Sequence, residues 1–424
     1  MASVLGVLLL LLVFPLVVSG AMRFAFIPFA LSFEAQRRHE DDGPAGCGPL
    51  FPEPPFLSVV VPAYQEGPVI DNCLASILRS DHPHFEVVCV DDGSADDTFE
   101  RMRRVADADP RVRAYRQENA GKGAALNTGI AQARGEVLVL VDADGLFRHD
   151  TLTRLLQGFR DSSIGAVCGN DRPVNLDRTL TRLLALISHV GTGLMRRALD
   201  ALGCLPVVSG NLGAFRREVL EETGPLRTDT LGEDLELTWR VHRAGFQVAF
   251  APTALVYAES PSTVSGLWRQ RVRWARGLLQ ATGLHWDMVG RPRYGTFGLY
   301  LAFNTVTQVV APFLQAAAFL TLAALVAVRG PGVLPDTWLG WLLGLGLITS
   351  VLLLLLAVAL DRTPGDLRYL WTVVLWPIYS TAMTFVMIEA VRLELGNAEN
   401  RWNKLERSGT VSVKGLLEDD DRGS

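Results

Sequence analysis

The stretch VLVLVDADG, residues 137 to 145, sets five aliphatic residues in a row and closes them with two acids, Asp142 and Asp144, on either side of an alanine. An unbroken aliphatic run of this kind reads as a strand driven into the interior of a sheet that is covered on both faces. Residues two apart on a strand point the same way and lie roughly 6 to 7 Å apart, so the strand ends in two like charges side by side. Keeping both ionised calls for a counter-charge, most simply a divalent cation. Hard carboxylate oxygens suit Mg2+ or Mn2+, and Mg2+ is usually shared between a few carboxylates and the phosphates of a substrate. Taken alone, the same pattern also fits an acidic turn after a strand.

Two more aliphatic runs precede it, LSVVV (57–61) and EVVCV (86–90), with helical spacing nearby in VIDNCLASILRS (69–80) and DTFERMRRVADA (97–108). Strands alternating with helices predict an α/β fold with a mostly parallel sheet flanked by helices. Each run ends in polar residues, PAYQE, DDGS and DADG. In open α/β sheets ligands bind beyond the carboxyl ends of the strands, so these endings predict one crevice. In ENAGKGAALNTGIAQARG (118–135), Gly121 and Gly123 flank Lys122 where a helical pattern begins. A helix start carrying a lysine suits a phosphate, and a helix cap with a solvated lysine is the alternative. With the acids nearby, a diphosphate–metal pocket is the better account.

Hydrophobic residues make up 49% of the 424-residue chain, and the excess sits at its two ends while the middle reads like a soluble domain. A net charge of −5 lacks the basic face that a nucleic-acid partner requires. The cysteines, Cys47, Cys73, Cys89, Cys168 and Cys204, are odd in number and form no CxxC pair. Neither a zinc site nor a closed disulfide framework is suggested, and a reducing, cytosolic setting fits the middle domain. His189, His242 and His285 show no ligand spacing and read as structural or solvent-exposed.

Residues 2 to 22 are uncharged and long enough to cross a hydrocarbon core of roughly 30 Å. They lack the basic start of a signal peptide, and the apolar pattern continues through FAFIPFALSF (24–33), which favours an anchor over residues 1–34. Arg23, Arg37 and Arg38 follow, so the positive-inside rule puts the middle domain in the cytoplasm of a multi-pass plasma-membrane protein. A Pro-, Gly- and acid-rich linker (35–55) leads to the domain at 56–280, then an interfacial segment (281–298), about three C-terminal spans within 299–394 and a polar tail (395–424). The candidate spans are 299–328, 337–360 and 369–391. They raise a conflict of parity: three spans leaving a cytoplasmic domain put the tail outside, yet NRWNKLERSG (400–409) looks like a cytoplasmic basic tail. One interfacial stretch, or a surface helix from RPRYGTFGLYLAF (291–303), would reconcile the two.

The ordered set VPAYQE, VDDGS, GKGAALN, DAD, GED and QRVRW, set between membrane helices, resembles the processive, inverting glycosyltransferases of GT-A fold, the cellulose, chitin, hyaluronan and poly-N-acetylglucosamine synthases. The resemblance runs from residue 57 to about 280. It implies that Tyr64 and Glu66 border the uridine of a UDP-sugar and that Asp92, with Asp91 beside it, accepts from the uracil ring or ribose. Asp92 before Gly93 also reads as a turn residue. The resemblance further implies that Lys122, Asp142, Arg271 and Arg273 hold the nucleotide sugar and that Asp142 and Asp144 hold the metal. Asp234, with Glu233 beside it, is then the catalytic base that takes a proton from the acceptor hydroxyl; helix capping is the ordinary explanation for an acid at that position.

Arg273 and Trp274 lie three and four residues after Gln270, so on a helix the set shares one face. Arg273 can clamp a phosphate bidentately, and the resemblance implies that Gln270 and Trp274 border the acceptor. An amphipathic interfacial helix would instead turn arginines toward lipid headgroups, a reading kept for Arg269 and Arg276. VVSGNLGAF (207–215) resembles a segment lining the acceptor cleft, with Ser209 and Asn211 on the sugar, although a strand–helix loop looks much the same.

TLGEDLELTWRV (230–241) and ESPSTVSGLWRQRVRWARG (259–277) look most similar to poly-β-1,6-N-acetylglucosamine synthases, which makes UDP-N-acetylglucosamine the first donor to test. The expected function is a membrane-embedded β-glycosyltransferase that lengthens a polysaccharide and is coupled to its export. The expected partners are a UDP-sugar, a polysaccharide or lipid-linked acceptor, membrane lipids and an accessory export subunit. A single transfer onto a ceramide- or polyprenol-type lipid is the alternative in the same chemistry. A non-catalytic nucleotide-sugar-binding membrane component is the alternative of another class. After residue 394 the tail is too short for an appended cyclic-dinucleotide-binding barrel.

Overall fold

The computed structural model describes residues 2–41, 48–330 and 338–399. Cys47 and the basic stretch 400–409 lie outside the described residues.

The chain opens on helix α1 (Ala2–Met22), a 3-10 turn and α2 (Ile27–Asp41). The domain follows: β1 (Leu57–Ala63), α3 (Gly67–Leu78), β2 (Phe85–Asp91), α4 (Thr98–Ala108), β3 (Val112–Arg116), α5 (Lys122–Gln132) and β4 (Val137–Leu140). Next come β5 (Leu146–Phe147), α6 (Thr151–Leu156), β6 (Ile164–Pro173), α7 (Thr179–Ser188), α8 (Met195–Ala201), β7 (Gly213–Arg216), α9 (Arg217–Thr223), α10 (Glu233–Arg243), β8 (Gln247–Ala258) and α11 (Val264–Leu284). The apolar C-terminal part holds α12 (Gly295–Asn304), α13 (Ala311–Arg329), α14 (Trp338–Leu360), a 3-10 stretch (Pro364–Leu375) and α15 (Trp376–Leu395).

The strands form one eight-stranded sheet in the order β3-β2-β1-β4-β7-β6-β8-β5. The strands readable from the sequence pair in parallel, β2 and β4 flanking β1. Beyond β4 the sheet is mixed: β7 is antiparallel to both neighbours, β6 and β8 are parallel, and β5 is antiparallel to β8. Alternation explains why an unbroken aliphatic run suits this sheet. Val137, Val139 and Val141 belong to the core on one face, Leu138 and Leu140 to the core on the other. Each such side chain taken fully from water contributes on the order of 1.5 to 3 kcal/mol. Helix α5 lies close on the sheet because Gly129 has no side chain; a Cβ there would fall 2.3 Å from Val60 Cγ1. That contact sets the height at which Lys122 opens the helix.

Among the described residues three helical stretches are long and apolar enough to cross a bilayer: Val4–Arg37, Pro292–Arg329 and Pro364–Leu395. Helix α1 runs antiparallel to α13. Near the domain Phe26 meets Phe303, with ring centroids 5.7 Å apart, and at the far end Leu9 packs with Ala318 and Leu325. The domain grips several of these helices. Arg197 Nε donates to Glu34 Oε2 at 3.0 Å in the middle of α2, and Arg197 Nη1 to Asp361 Oδ1 at 2.7 Å just after α14. His189 completes this junction, with Nδ1 2.6 Å from Asp361 Oδ2 and Nε2 3.0 Å from Asp366 Oδ2. The stretch 364–395 is therefore tied to the domain at its start by Asp366, and it is tied again at its end, where Arg276 Nε donates to Glu394 Oε1 at 2.5 Å.

Candidate active site

The carboxyl ends of β1, β2 and β4 and the starts of α5 and α10 converge on one crevice edge. At β2 the two acids have separate internal partners. Asp91 is fully buried, 3.2 Å from Arg116 Nε, and receives the Ser94 N–H. Asp92 Oδ1 accepts from Gln117 Nε2 at 2.8 Å and the Ala120 N–H at 3.0 Å, and its Oδ2 accepts from the Gly121 N–H at 2.8 Å. This carboxylate shapes the segment leading into α5. Gly93 makes the accompanying turn with φ +76, and a Cβ there would fall 2.8 Å from Asn119 N. The half-buried Tyr64 and Glu66 stand on the neighbouring loop, which is bound to the β2 loop by Gln65 N–H to Ser94 Oγ and Glu66 N–H to Thr98 Oγ1, both at 2.8 Å.

Four functional candidates meet around Gly210. Lys122 Nζ lies 2.6 Å from Asp142 Oδ1 and 3.3 Å from Glu233 Oε1. A Cβ on Gly210 would stand 2.6 Å from Lys122 Nζ, 3.6 Å from Asp234 Oδ2 and 3.7 Å from Asp142 Oδ1. The lysine expected to face a phosphate thus bridges two carboxylates. Burial alone would lower its ammonium, but Asp142, Glu233 and Asp234 outweigh that and hold it above its ordinary value. Burial pushes the Glu233 carboxyl up, and the neighbouring Asp234 charge adds to the push against the pull of Lys122 and Arg273. Asp234 sits in the first turn of α10, its Oδ2 receiving the Gly210 N–H at 3.2 Å and its Oδ1 the Leu235 N–H at 2.7 Å. Thr238 fastens that helix to the loop, accepting the Val208 N–H at 2.9 Å and donating to the Asp234 carbonyl at 2.7 Å.

Asp144 is buried at the end of the same strand segment, one alanine from Asp142. Ser209 and Asn211 flank Gly210, and the Asn211 carbonyl lies 3.8 Å from where a Gly145 Cβ would be, so this loop adjoins the acidic turn. Among the described residues no group of three or more His, Cys, Asp or Glu side chains is gathered as a complete metal cage. The hard carboxylate oxygens of Asp142 and Asp144, two residues apart at one strand end, have the chemistry that suits Mg2+ or Mn2+.

Helix α11 carries the basic motif. The Arg271 guanidinium stacks on the half-exposed Trp274, 4.3 Å from the ring centroid, and burial holds its pKa below the usual range. Arg273 is half-buried and its charge acts on Glu233, while Gln270 is half-buried one turn earlier. The headgroup reading of Arg276 is corrected: the residue is buried, paired with Glu394, and donates to the carbonyls of Ala398 and Glu399. An arginine on an amphipathic helix can face protein instead of lipid when an acid from a distant segment meets it. The histidines are structural. His189 is in the junction described above, His242 Nε2 is 2.8 Å from the Leu205 carbonyl, and His285 Nε2 is 3.1 Å from Glu236 Oε1. Cys73, Cys89, Cys168 and Cys204 are free and buried. Gly210 was missed as a site residue although it lies inside the quoted VVSGN; the signal was a glycine between two polar residues, where backbone must come close to other groups.

An eight-stranded sheet of this order, with an acidic pair at the end of β4 and a second acidic pair opening a helix across from it, defines a glycosyltransferase of GT-A fold. The chain belongs to the family described as "Glycosyltransferase like family 2", which matches residues 54–277. It is 30% identical over 222 residues to poly-beta-1,6-N-acetyl-D-glucosamine synthase of Staphylococcus aureus (strain COL), and equally to the synthase of that name from Staphylococcus epidermidis. The match covers 52% of this chain and 54% of either synthase, so the chain spans about half the length of the curated relatives it matches. Among solved structures it resembles the mannosyltransferase PcManGT from Pyrobaculum calidifontis in complex with GDP-Man and Mn2+. The TM-score is 0.61 with 25% identity, over 90% of this chain and 100% of that one.

Proposed function

We propose that this enzyme is an inverting, membrane-embedded β-glycosyltransferase that moves a sugar from a UDP-sugar, UDP-N-acetylglucosamine first, onto a growing polysaccharide that it helps to export. The observation that supports the reading is the meeting of Asp234, Glu233, Lys122 and Asp142 around Gly210. Asp234 accepts the proton of the acceptor hydroxyl as that oxygen bonds to the anomeric carbon. The bond from that carbon to the diphosphate oxygen breaks, and UDP carries away its electron pair. Asp142 and Asp144 would hold Mg2+ or Mn2+, which neutralises charge on the diphosphate. Lys122, Arg271 and Arg273 add fixed positive charge where the transition state gains negative charge. Tyr64, Glu66 and Asp92 border the nucleoside, whereas Asp91, expected there from the sequence, is fully buried and braces the β2 loop through Arg116 and Ser94; Ser209, Asn211, Gln270 and Trp274 border the acceptor.

The junctions support one membrane arrangement. Helix α1 enters toward the domain, α13 leaves it, α14 returns, and 364–395 stays on the domain side because both its ends are bound there. The parity conflict then disappears, with domain and tail on the cytoplasmic side. A single transfer onto a membrane lipid stands second, in the same chemistry. Purified membranes given labelled UDP-N-acetylglucosamine with Mn2+ or Mg2+ decide between them: polymer supports the first reading, one sugar per lipid the second, and no transfer removes this donor.

A further inference from the structure

The loop that delivers Asp234 is held from outside the crevice. Gln280 Oε1 accepts the Leu231 N–H at 2.8 Å and lies 3.1 Å from the Thr230 hydroxyl. Its Nε2 donates to Glu394 Oε1 at 3.1 Å, the same oxygen that receives Arg276 Nε. Arg276 and Gln280 are one turn apart on α11, and the glycine between them lets the loop lie against the helix: a Cβ on Gly277 would fall 3.0 Å from both Cα and N of Gly232. A continuous polar strut therefore runs from the end of α15, whose Ile378, Phe385 and Leu395 are exposed, through Gln280 to the residues immediately before Glu233 and Asp234.

We infer that Gln280 and Glu394 are positioning residues that hold the Thr230–Gly232 loop, and through it Asp234, in register with the donor site, so that the seating of α15 at the membrane controls turnover. The inference rests on the reading of Asp234 as the base. Neither residue reaches the crevice, so their loss acts on geometry and not on donor contacts.

The test uses the full chain in lipid nanodiscs, with hydrogen exchange of residues 230–235 measured beside UDP release from UDP-N-acetylglucosamine. Gln280→Ala and Glu394→Gln are expected to speed exchange in 230–235 without changing it in β1, and to lower kcat by about 10- to 100-fold with donor KM within about 2-fold. Glu389→Gln, which breaks an exposed pair with Arg392 on the same helix, is expected to leave both readouts unchanged. Unchanged kcat in both variants, or a loss of kcat accompanied by faster exchange throughout the sheet, overturns the inference. If the unmodified protein releases no UDP, the donor assignment fails, and exchange at 230–235 still decides whether the strut holds the loop.

Discussion

Asp234 shows what a single residue can and cannot reveal in a sequence. Its place at the start of a helical pattern was legible, but capping and base catalysis share that place, and only the contacts around Gly210 bring it next to Lys122 and Asp142. Asp234→Asn keeps the shape and removes the proposed proton acceptor. It is expected to lower kcat for UDP release by about 100- to 10,000-fold, with donor affinity measured by calorimetry changed only a few-fold; unaltered turnover would remove Asp234 from the mechanism. Gly210→Ala probes the same constellation from the other side. Its Cβ would stand 2.6 Å from Lys122 Nζ, which can swing aside only by leaving Asp142 and Glu233 without their counter-charge. The expected result is a drop in kcat/KM of at least about 10-fold, roughly the effect of 1.4 kcal/mol, together with a lower thermal midpoint from the broken, partly buried ion pairs. The pairing of Lys122 with carboxylates was illegible, since nothing in the spacing of residues 122, 142 and 233 encodes a separation below 4 Å.

At the scale of elements, what could be read depended on composition. Runs of Val and Leu announced β1, β2 and β4. The mixed half of the sheet did not announce itself: β7 is the four residues GAFR, and β6 and β8 interleave Ala, Gly and polar residues, so no window carries a strand period. Helix α10, which carries the proposed base, is anchored at its far end by His242. That ring stacks on Phe297 with centroids 3.8 Å apart, and burial, partly offset by the bond to the Leu205 carbonyl, lowers its pKa to about 4. Unfolded, the imidazole takes its proton near about 6.5. Between those values the unfolded chain binds more protons than the folded one. The stabilisation from a neutral, buried His242 is therefore complete above about pH 6.5 and lost as pH falls through about 4, at on the order of 1.4 kcal/mol per pH unit of separation. Thermal unfolding of His242→Gln should fall less steeply than that of the unmodified protein between pH 7 and pH 4; parallel curves would show that His242 does not carry this part of the acid sensitivity.

For the whole molecule, the sequence offers three C-terminal candidate spans, and among the described residues Pro364–Leu395 is long and apolar enough to be one of them. The ion pairs argue otherwise. The His189–Asp366 contact and the Arg276–Glu394 contact each bring an end of that stretch to the same domain, and a helix crossing once cannot return both ends to one side of a bilayer roughly 30 Å thick. This could not be read from sequence, because the deciding partners lie 177 and 118 residues apart. The arrangement makes a sided prediction for single-cysteine variants in intact cells; the described native cysteines are buried, and all native cysteines are replaced by serine for the measurement. Ser3→Cys and Gly330→Cys, at the far ends of α1 and α13, should react with a membrane-impermeant maleimide added outside. Ser412→Cys, in the tail, should react only after permeabilisation. Labelling of residue 412 from outside would mean that 364–395 crosses the bilayer. At most one of its two ties could then form in the membrane, and the strut from Glu394 to the loop before Asp234 would be lost with the second.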